Sequence, residues 1–270
     1  FSWTIGQVRI ELDFPAIGFS ILLLVLMLEL KDKLLARDEL QVGRAVQLAL
    51  LPSGNPELAG WEIWLYTRPA NDVGGDLVDY LFLEPDRLGA VLADVAGKGL
   101  GAALLMAKLQ STIRALAPAY GFLSELGGQL NRIMCRDGLP NRFATVLYVE
   151  LRPDSGRVRL LNAGHMPPVI LREHGRETLE PVAVPLGILP KETFAEQCVE
   201  LRHGDVFLVY SDGLTDARNP AGELFDEGPL GDCLAGLREL GSAGAIGERL
   251  IAEVDRFLSG ERGEDDLSLL

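Results

Sequence analysis

From Trp61 onward the chain is a succession of short apolar runs separated by turn residues, with helical stretches arriving in pairs. This order constrains the fold more than any other feature. Trp61–Arg68 (WEIWLYTR) reads as a strand, a turn runs through Pro69–Gly75, and Asp76–Leu83 reads as a second strand. Arg87–Val95 (RLGAVLADV) is a third, nearly all apolar and therefore expected to be buried. Helices are expected at Leu100–Leu116 and Phe122–Arg136, then strands at Phe143–Leu151 and Arg157–Asn162 joined by a hairpin turn through Pro153–Gly156. Asp205–Tyr210 is another buried strand, and helices around Leu230–Leu240 and Ile246–Leu258 lead to a last strand at Leu267–Leu270. Hairpins with paired helices specify an α+β fold of antiparallel sheets with helices packed outside, not a doubly wound parallel sheet.

The first fifty residues are of another kind. Phe14–Leu28 (FPAIGFSILLLVLML) carries no charge and is apolar all round, which an amphipathic surface helix would not be. It falls short of the roughly 20 residues that span a bilayer. Arg9 is the only cation before it, whereas Lys31, Lys33, Arg37 and Arg44 follow, a bias that places the downstream part in the cytoplasm. Residues 1–30 are therefore expected to be the end of an inner-membrane anchor, with a buried core or dimer-interface helix as the alternative. No basic region or small-residue cleavage site supports a signal peptide. The chain opens on Phe1 instead of Met, so a further segment is expected upstream. In residues 31–52, Leu30, Leu34, Val42, Val46 and Leu50 lie near one helical stripe that Pro52 ends. This is a linker helix, either a homodimerising signalling helix or a solvated connector. Residues 53–270 form the globular domain.

Composition removes several classes of function. With 39 acidic against 25 basic residues the net charge is −14, which repels a phosphate backbone and argues against nucleic acid as a partner. Three cysteines without a CxxC read as reduced, mostly buried thiols, and three histidines without HExxH leave no histidine-rich zinc site. Any metal would have to sit on carboxylates.

Such carboxylates recur where a strand meets a tight turn. Asp76 follows Gly74-Gly75, Asp94 ends a buried strand, Asp212 precedes Gly213, and Asp265-Asp266 precedes the last strand. If those ends converge, two charges ~4 Å apart repel by about 4 kcal/mol at an effective dielectric of 20. Divalent cations remove that penalty, and hard oxygen ligands suit Mg²⁺ or Mn²⁺.

The motifs at these positions have a recognisable order. Gln47-Leu48-Ala49-Leu50-Leu51-Pro52, Val73-Gly74-Gly75-Asp76-Leu77-Val78-Asp79 and Ala93-Asp94-Val95-Ala96-Gly97-Lys98-Gly99 are followed by Phe143-Ala144-Thr145 and Asn162-Ala163-Gly164-His165-Met166-Pro167-Pro168. Pro185-Leu186-Gly187, Tyr210-Ser211-Asp212-Gly213-Leu214-Thr215-Asp216-Ala217 and Asp265-Asp266-Leu267-Ser268 complete the series. Together they resemble the bacterial PP2C-like phosphatases of the SpoIIE/RsbU type over roughly residues 45–270. The resemblance implies a four-layer αββα sandwich and hydrolysis of phosphoserine or phosphothreonine by water activated between two divalent cations, Mn²⁺ or Mg²⁺. The implied substrate is a small phosphorylated STAS-domain anti-anti-sigma protein. By motif, Asp94 would bridge both metals with the Val95 carbonyl as a further contact, Asp76 would ligate one ion, and Asp212 and Asp265 the other. Asp79, Asp266 and His165 would stand behind them.

Some residues depart from the pattern. Leu77 stands where the family often has an aromatic, Ser268 where it often has threonine, and Ala96 where eukaryotic relatives carry a histidine proposed as general acid. His165 could take that part, although a histidine in such a loop more often shapes it. Gly97-Lys98-Gly99-Leu100-Gly101-Ala102 matches a dinucleotide fingerprint but lacks the acidic residue about 20 positions on and the following parallel strand. Its glycines are expected to serve close packing under the metal site, and Lys98 either to steer phosphate or to be solvated. A catalytically silent, partner-binding domain is the non-enzymatic alternative.

Overall fold

The computed structural model describes residues 2–5, 8–11, 14–138, 142–153, 155–226 and 228–270, and the chain divides into two compact units, residues 1–43 and 44–270. The first contains an antiparallel hairpin of β1 (Ser2–Ile5) and β2 (Val8–Glu11), with Ser2 opposite Glu11. It also holds most of α1 (Phe14–Leu50), a single helix that joins the apolar run to the charged stripe across Gly43. Ile21 to Leu28 are exposed along it. Among the described residues no helix is long and apolar enough to cross a membrane, so the structure lends no support to the expected inner-membrane anchor. Fifteen apolar residues rise only about 22 Å, against a hydrocarbon core of about 30 Å.

The second unit begins with the last turns of α1, at Arg44, earlier than the expected boundary at residue 53. Its elements are β3 (Tyr66–Arg68), β4 (Leu77–Glu84), β5 (Arg87–Val95), α2 (Leu100–Leu116), α3 (Leu123–Asp137), β6 (Ala144–Leu151) and β7 (Arg157–Ala163). They are followed by β8 (Val169–Arg172), β9 (Gly175–Thr178), β10 (Gln197–Glu200), β11 (Val206–Leu208), α4 (Asp212–Thr215), α5 (Pro229–Leu237), α6 (Ala243–Phe257) and β12 (Leu267–Leu269).

One sheet has the order β10-β7-β6-β5-β4. In the other, β11-β8-β9 and β12-β3 are joined by a Tyr210–Leu269 bridge and by reciprocal Val209–Leu270 backbone bonds of 2.7 and 2.9 Å. Every pairing between these strands is antiparallel. Helices α2 and α3 cover the first sheet, with Met106, Leu109, Leu126 and Leu130 in one core with Val91 and Val146. Leu88, Leu92, Leu147 and Leu160 pack with Val209 between the sheets, and Leu234, Leu250 and Val254 of α5 and α6 close the second sheet over Leu208 and Leu267. The result is the αββα sandwich expected from the hairpins and paired helices.

Some local expectations fail. Of Trp61–Arg68 only the last three residues form a strand, and Trp61 instead bridges to Leu58 and donates its indole N–H to the Arg152 carbonyl at 2.8 Å. Strands β8, β9 and β10 were not anticipated, because β9 is exposed throughout and β10 offers only four residues. Leu151 opposite Val158 closes the expected hairpin, whose Asp154 lies outside the described residues. The cysteines are free but not mostly buried: Cys198 is exposed and Cys135 and Cys233 are half-buried.

Asp79 is bonded within the protein. It is 1% exposed and receives Arg114 Nε and Nη2, both at 2.7 Å, and Gln110 Nε2 at 2.9 Å. Gln110 Nε2 also donates to the Leu50 carbonyl at 2.7 Å. The carboxylate thus ties β4 to α2 and to the end of α1. Removing the half-exposed guanidinium strands a buried charge, so Arg114→Ala should cost about 2–3 kcal/mol in urea unfolding, while the surface change Arg132→Ala should cost less than about 0.5 kcal/mol.

Candidate active site

Strand register gathers the aspartates. Asp94 is the penultimate residue of β5, opposite Thr145 of β6. Leu77 lies opposite Ala93, so the residue before it, Asp76, continues toward Asp94. A Cβ on Gly75 would lie 2.9 Å from the Val95 carbonyl oxygen and 3.5 Å from Asp94 Oδ1, so glycine is what lets this loop approach β5.

The second sheet delivers the rest. Asp212 opens α4, and Asp265 and Asp266 lead into β12. Ser211 Oγ donates to the Asp266 carbonyl and accepts from Ser268 N–H, each at 2.9 Å. A Cβ on Gly213 would fall 2.0 Å from that same Asp266 carbonyl oxygen. Close approach of α4 to β12 therefore requires glycine after Asp212.

The carboxylates divide by what they bond. Asp266 Oδ2 accepts from Gly75 N–H at 2.6 Å and Asp76 N–H at 3.3 Å, while Oδ1 accepts from Ala70 N–H at 2.8 Å. It holds the β3–β4 loop against the start of β12. Asp76 is 4% exposed and its Oδ2 has no hydrogen-bond partner. Burial holds its carboxyl well above the usual range, Asp94 and Asp266 push the same way, and the Ser268 and Ser211 hydroxyls oppose them. Asp94 is pushed up to about 7 by burial and by the charges of Asp212, Asp265 and Asp266, with Lys98 opposing. Burial and then Asp265 and Asp216 raise Asp212. Asp265 is exposed and pairs with Lys98 at 3.3 Å, and Lys98 Nζ also donates to the Glu264 carbonyl at 2.7 Å.

His165 is buried beside this group. Its Nδ1 lies 2.8 Å from Thr145 Oγ1, its Nε2 has no partner, and burial lowers its pKa to about 4. Asn162 Oδ1 accepts its backbone N–H at 2.8 Å. A ring held neutral and enclosed braces Thr145 and the loop. It has no proton to give at neutral pH.

Two contacts were not foreseen. Gln47 is buried in α1 and forms a reciprocal pair with Gly74, Nε2 to the carbonyl at 2.9 Å and the Gly74 N–H to Oε1 at 3.0 Å. Arg142 Nη1 donates to the Ala96 carbonyl at 2.5 Å and occupies the space of a Gly97 side chain. Gly97 thus serves close packing as expected. Gly99 and Gly101 face open space, and Gly99 is used for its φ of 76°.

The donor set suits a hard cation: oxygen atoms only, Asp76 Oδ2 unsatisfied, and three carboxyls held toward the protonated form by one another and by burial. Among the described residues no group of three or more histidine, cysteine, aspartate or glutamate side chains is arranged to hold a metal ion. Magnesium is commonly bound through only one or two carboxylates and several waters, so the aspartates fit such an ion without a closed cage.

The SiaA-PP2C domain of Pseudomonas aeruginosa shares this fold, superposing with a TM-score of 0.73 at 19% identity, covering 88% of this chain and 96% of that one. The family model of Stage II sporulation protein E (SpoIIE) matches residues 84–270, and the chain belongs to that family. It is 30% identical to Protein IcfG of Synechocystis sp. over 225 residues, covering 73% of this chain and 35% of that protein. It is 26% identical to the phosphoserine phosphatase RsbU of Bacillus subtilis over 190 residues, covering 70% and 56%. The chain thus spans only part of the length of these relatives.

The raised carboxyls set a pH dependence. A group whose folded pKa lies above its unfolded value contributes stability at low pH and loses it as pH rises through the folded pKa. For Asp94 the window runs from about 4 to about 7. In EDTA, Asp94→Asn should therefore melt above the wild type at pH 8, the gain shrinking toward pH 4. His165 slopes the other way, losing stability as pH falls from about 6.5 to about 4, so the comparison must be made between variants.

Proposed function

We propose that the chain is a metal-dependent protein phosphatase that removes phosphate from phosphoserine or phosphothreonine on a small STAS-domain regulatory protein. The observation that carries this reading is the set of carboxyls of Asp76, Asp94 and Asp212 at the meeting of the two sheets, each raised by burial and by neighbouring acids, with Asp76 Oδ2 left without a hydrogen-bond partner. PP2C-type phosphatases are metal-dependent. Asp76, Asp94, Asp212 and Asp265 would hold two Mn²⁺ or Mg²⁺ ions, with the Val95 carbonyl as a further contact. When bound, such ions activate water and clamp a phosphoryl group.

The chain's own residues prepare that chemistry. Asp266 spends its carboxylate on the Gly75 and Asp76 amides and so aims Asp76 rather than ligating. Arg142 holds the turn after Asp94. Lys98 moderates the charge on Asp265. With alanine at position 96 and burial keeping His165 neutral, the proton for the leaving serine would come from water or another group.

The N-terminal helix completes the reading. Gln47 grips Gly74, one residue from the site loop, so a twist of α1 would move Asp76. The exposed apolar residues of α1 suit pairing with a second copy. Sedimentation should show a homodimer, and Gln47→Ala should weaken Mn²⁺ activation about 10-fold without unfolding the domain.

The alternative is a catalytically silent domain that binds a partner. Phosphate release from a phosphoserine peptide separates the two. With Mn²⁺ the wild type should turn over, and EDTA or Asp94→Ala should lower the rate at least ~100-fold. Equal rates in all three would leave the silent reading standing.

A further inference from the structure

His165 lies in the crossover that leaves one sheet at β7 and enters the other at β8. Its neighbours seat this loop on both sheets. Asn162, near the end of β7, accepts the His165 backbone N–H on Oδ1 at 2.8 Å and donates Nδ2 to its carbonyl at 3.2 Å. One residue further, Met166 packs against the core of the second sheet, which includes Tyr210 and Leu214. Gly164, at a φ of 67°, turns with Pro185 standing where a side chain would be, so the turn before the histidine requires glycine.

The imidazole lies between the strand segments that carry two of the aspartates. On one side Nδ1 is 2.8 Å from Thr145 Oγ1, and Thr145 is directly opposite Asp94 in the β5–β6 ladder. Opposed residues of an antiparallel pair present their side chains on one face, with Cβ atoms about 4.5–5.5 Å apart. On its other side the ring faces the Tyr210 backbone, which acts against burial in setting its pKa, although Nε2 makes no hydrogen bond. Tyr210 leads through Ser211 into Asp212, and Asp212 is the acid whose charge bears most on Asp94. The order across the sandwich is therefore Asp94, Thr145, His165, Tyr210, Asp212. An apolar residue would fill the same space without stranding a buried nitrogen, so packing alone does not account for a histidine here.

We propose that His165 is a positioning residue: held to Thr145 on one side and set against the Tyr210 backbone on the other, it fixes the separation of Asp94 and Asp212 and with it the fit of the site to its cations. The part concerning cations rests on the function proposed above. The part concerning separation does not.

Two measurements test these parts independently. In EDTA, His165→Leu should still melt cooperatively. Its Leu214 and Asp216 amides, bonded to the Ser211 and Asp212 carbonyls at 3.1 and 2.7 Å, should nevertheless exchange with deuterium at least ~10-fold faster, with the β7–β10 amides unchanged. Thr145→Val, which removes only the hydroxyl, should show the same pattern. By calorimetry, Mn²⁺ should bind each variant at least ~10-fold more weakly than the wild type, and Thr145→Ser, which keeps the hydroxyl, within ~3-fold of it. The double variant should lose no more than ~3-fold beyond either single change, because both remove one linkage. Wild-type exchange at Leu214 and Asp216 in the folded variants overturns the proposal. So does wild-type Mn²⁺ affinity in either variant, or fully additive losses in the double one. A wild type that binds no Mn²⁺ overturns the cation reading instead, and the exchange rates still decide the role of His165.

Discussion

Repulsion among carboxylates packed at the meeting of two sheets is the constraint on which the rest of this structure depends. Asp94 is driven to a pKa of about 7 by burial and by Asp212, Asp265 and Asp266, and nearly complete burial holds Asp76 well above the usual carboxylate range. No fold keeps such groups together for stability's sake, since holding each carboxyl above its ordinary pKa costs stability at neutral pH. The cost is carried by cores far from the site. Three apolar clusters, one between the sheets and one beneath each helix pair, leave the strand ends free to hold what the chemistry requires.

Aspartates of the same motif meet that constraint in two ways. Asp79 and Asp266 are bonded by the protein itself, one by Arg114 and Gln110, the other by three backbone amides. A carboxylate so satisfied has little need of a cation. Asp76, with an oxygen lacking any partner, and Asp94, raised first by burial and then by other acids, are left with that need. The division also explains the glycines. Gly75 and Gly213 let backbone approach where a side chain would collide with the Val95 or Asp266 carbonyl oxygens.

Much of this was legible in the residues. Arg87–Val95 and Leu100–Leu116 read correctly to the residue, because one is apolar on both faces and the other has helical spacing behind a glycine stop. The strand-end aspartates could be picked out from their turns. What could not be read depends on tertiary partners. Nothing in the tetrapeptide Gly175–Thr178 marks a strand, since its pairing with β8 supplies all its order. Asp79 looks like Asp76 in sequence, and only Arg114, thirty-five positions on, sets it apart. Gln47 carries no sign that it will grip Gly74. Phe14–Leu28 is plainly apolar from its residues, but what such a run packs against is not written in them, and among the described residues no helix is long and apolar enough to cross a membrane.

The account stands or falls on whether the aspartates take up cations in place of protons. Calorimetric titration with Mn²⁺ near pH 6.5, in buffers of different ionisation enthalpy, measures both at once. Asp94, with a pKa of about 7, is largely protonated there, so saturable binding should release protons and its heat should change with the buffer. Both effects should vanish in Asp94→Asn. Absence of saturable binding, or binding of equal strength and proton release in Asp94→Asn, would contradict the account.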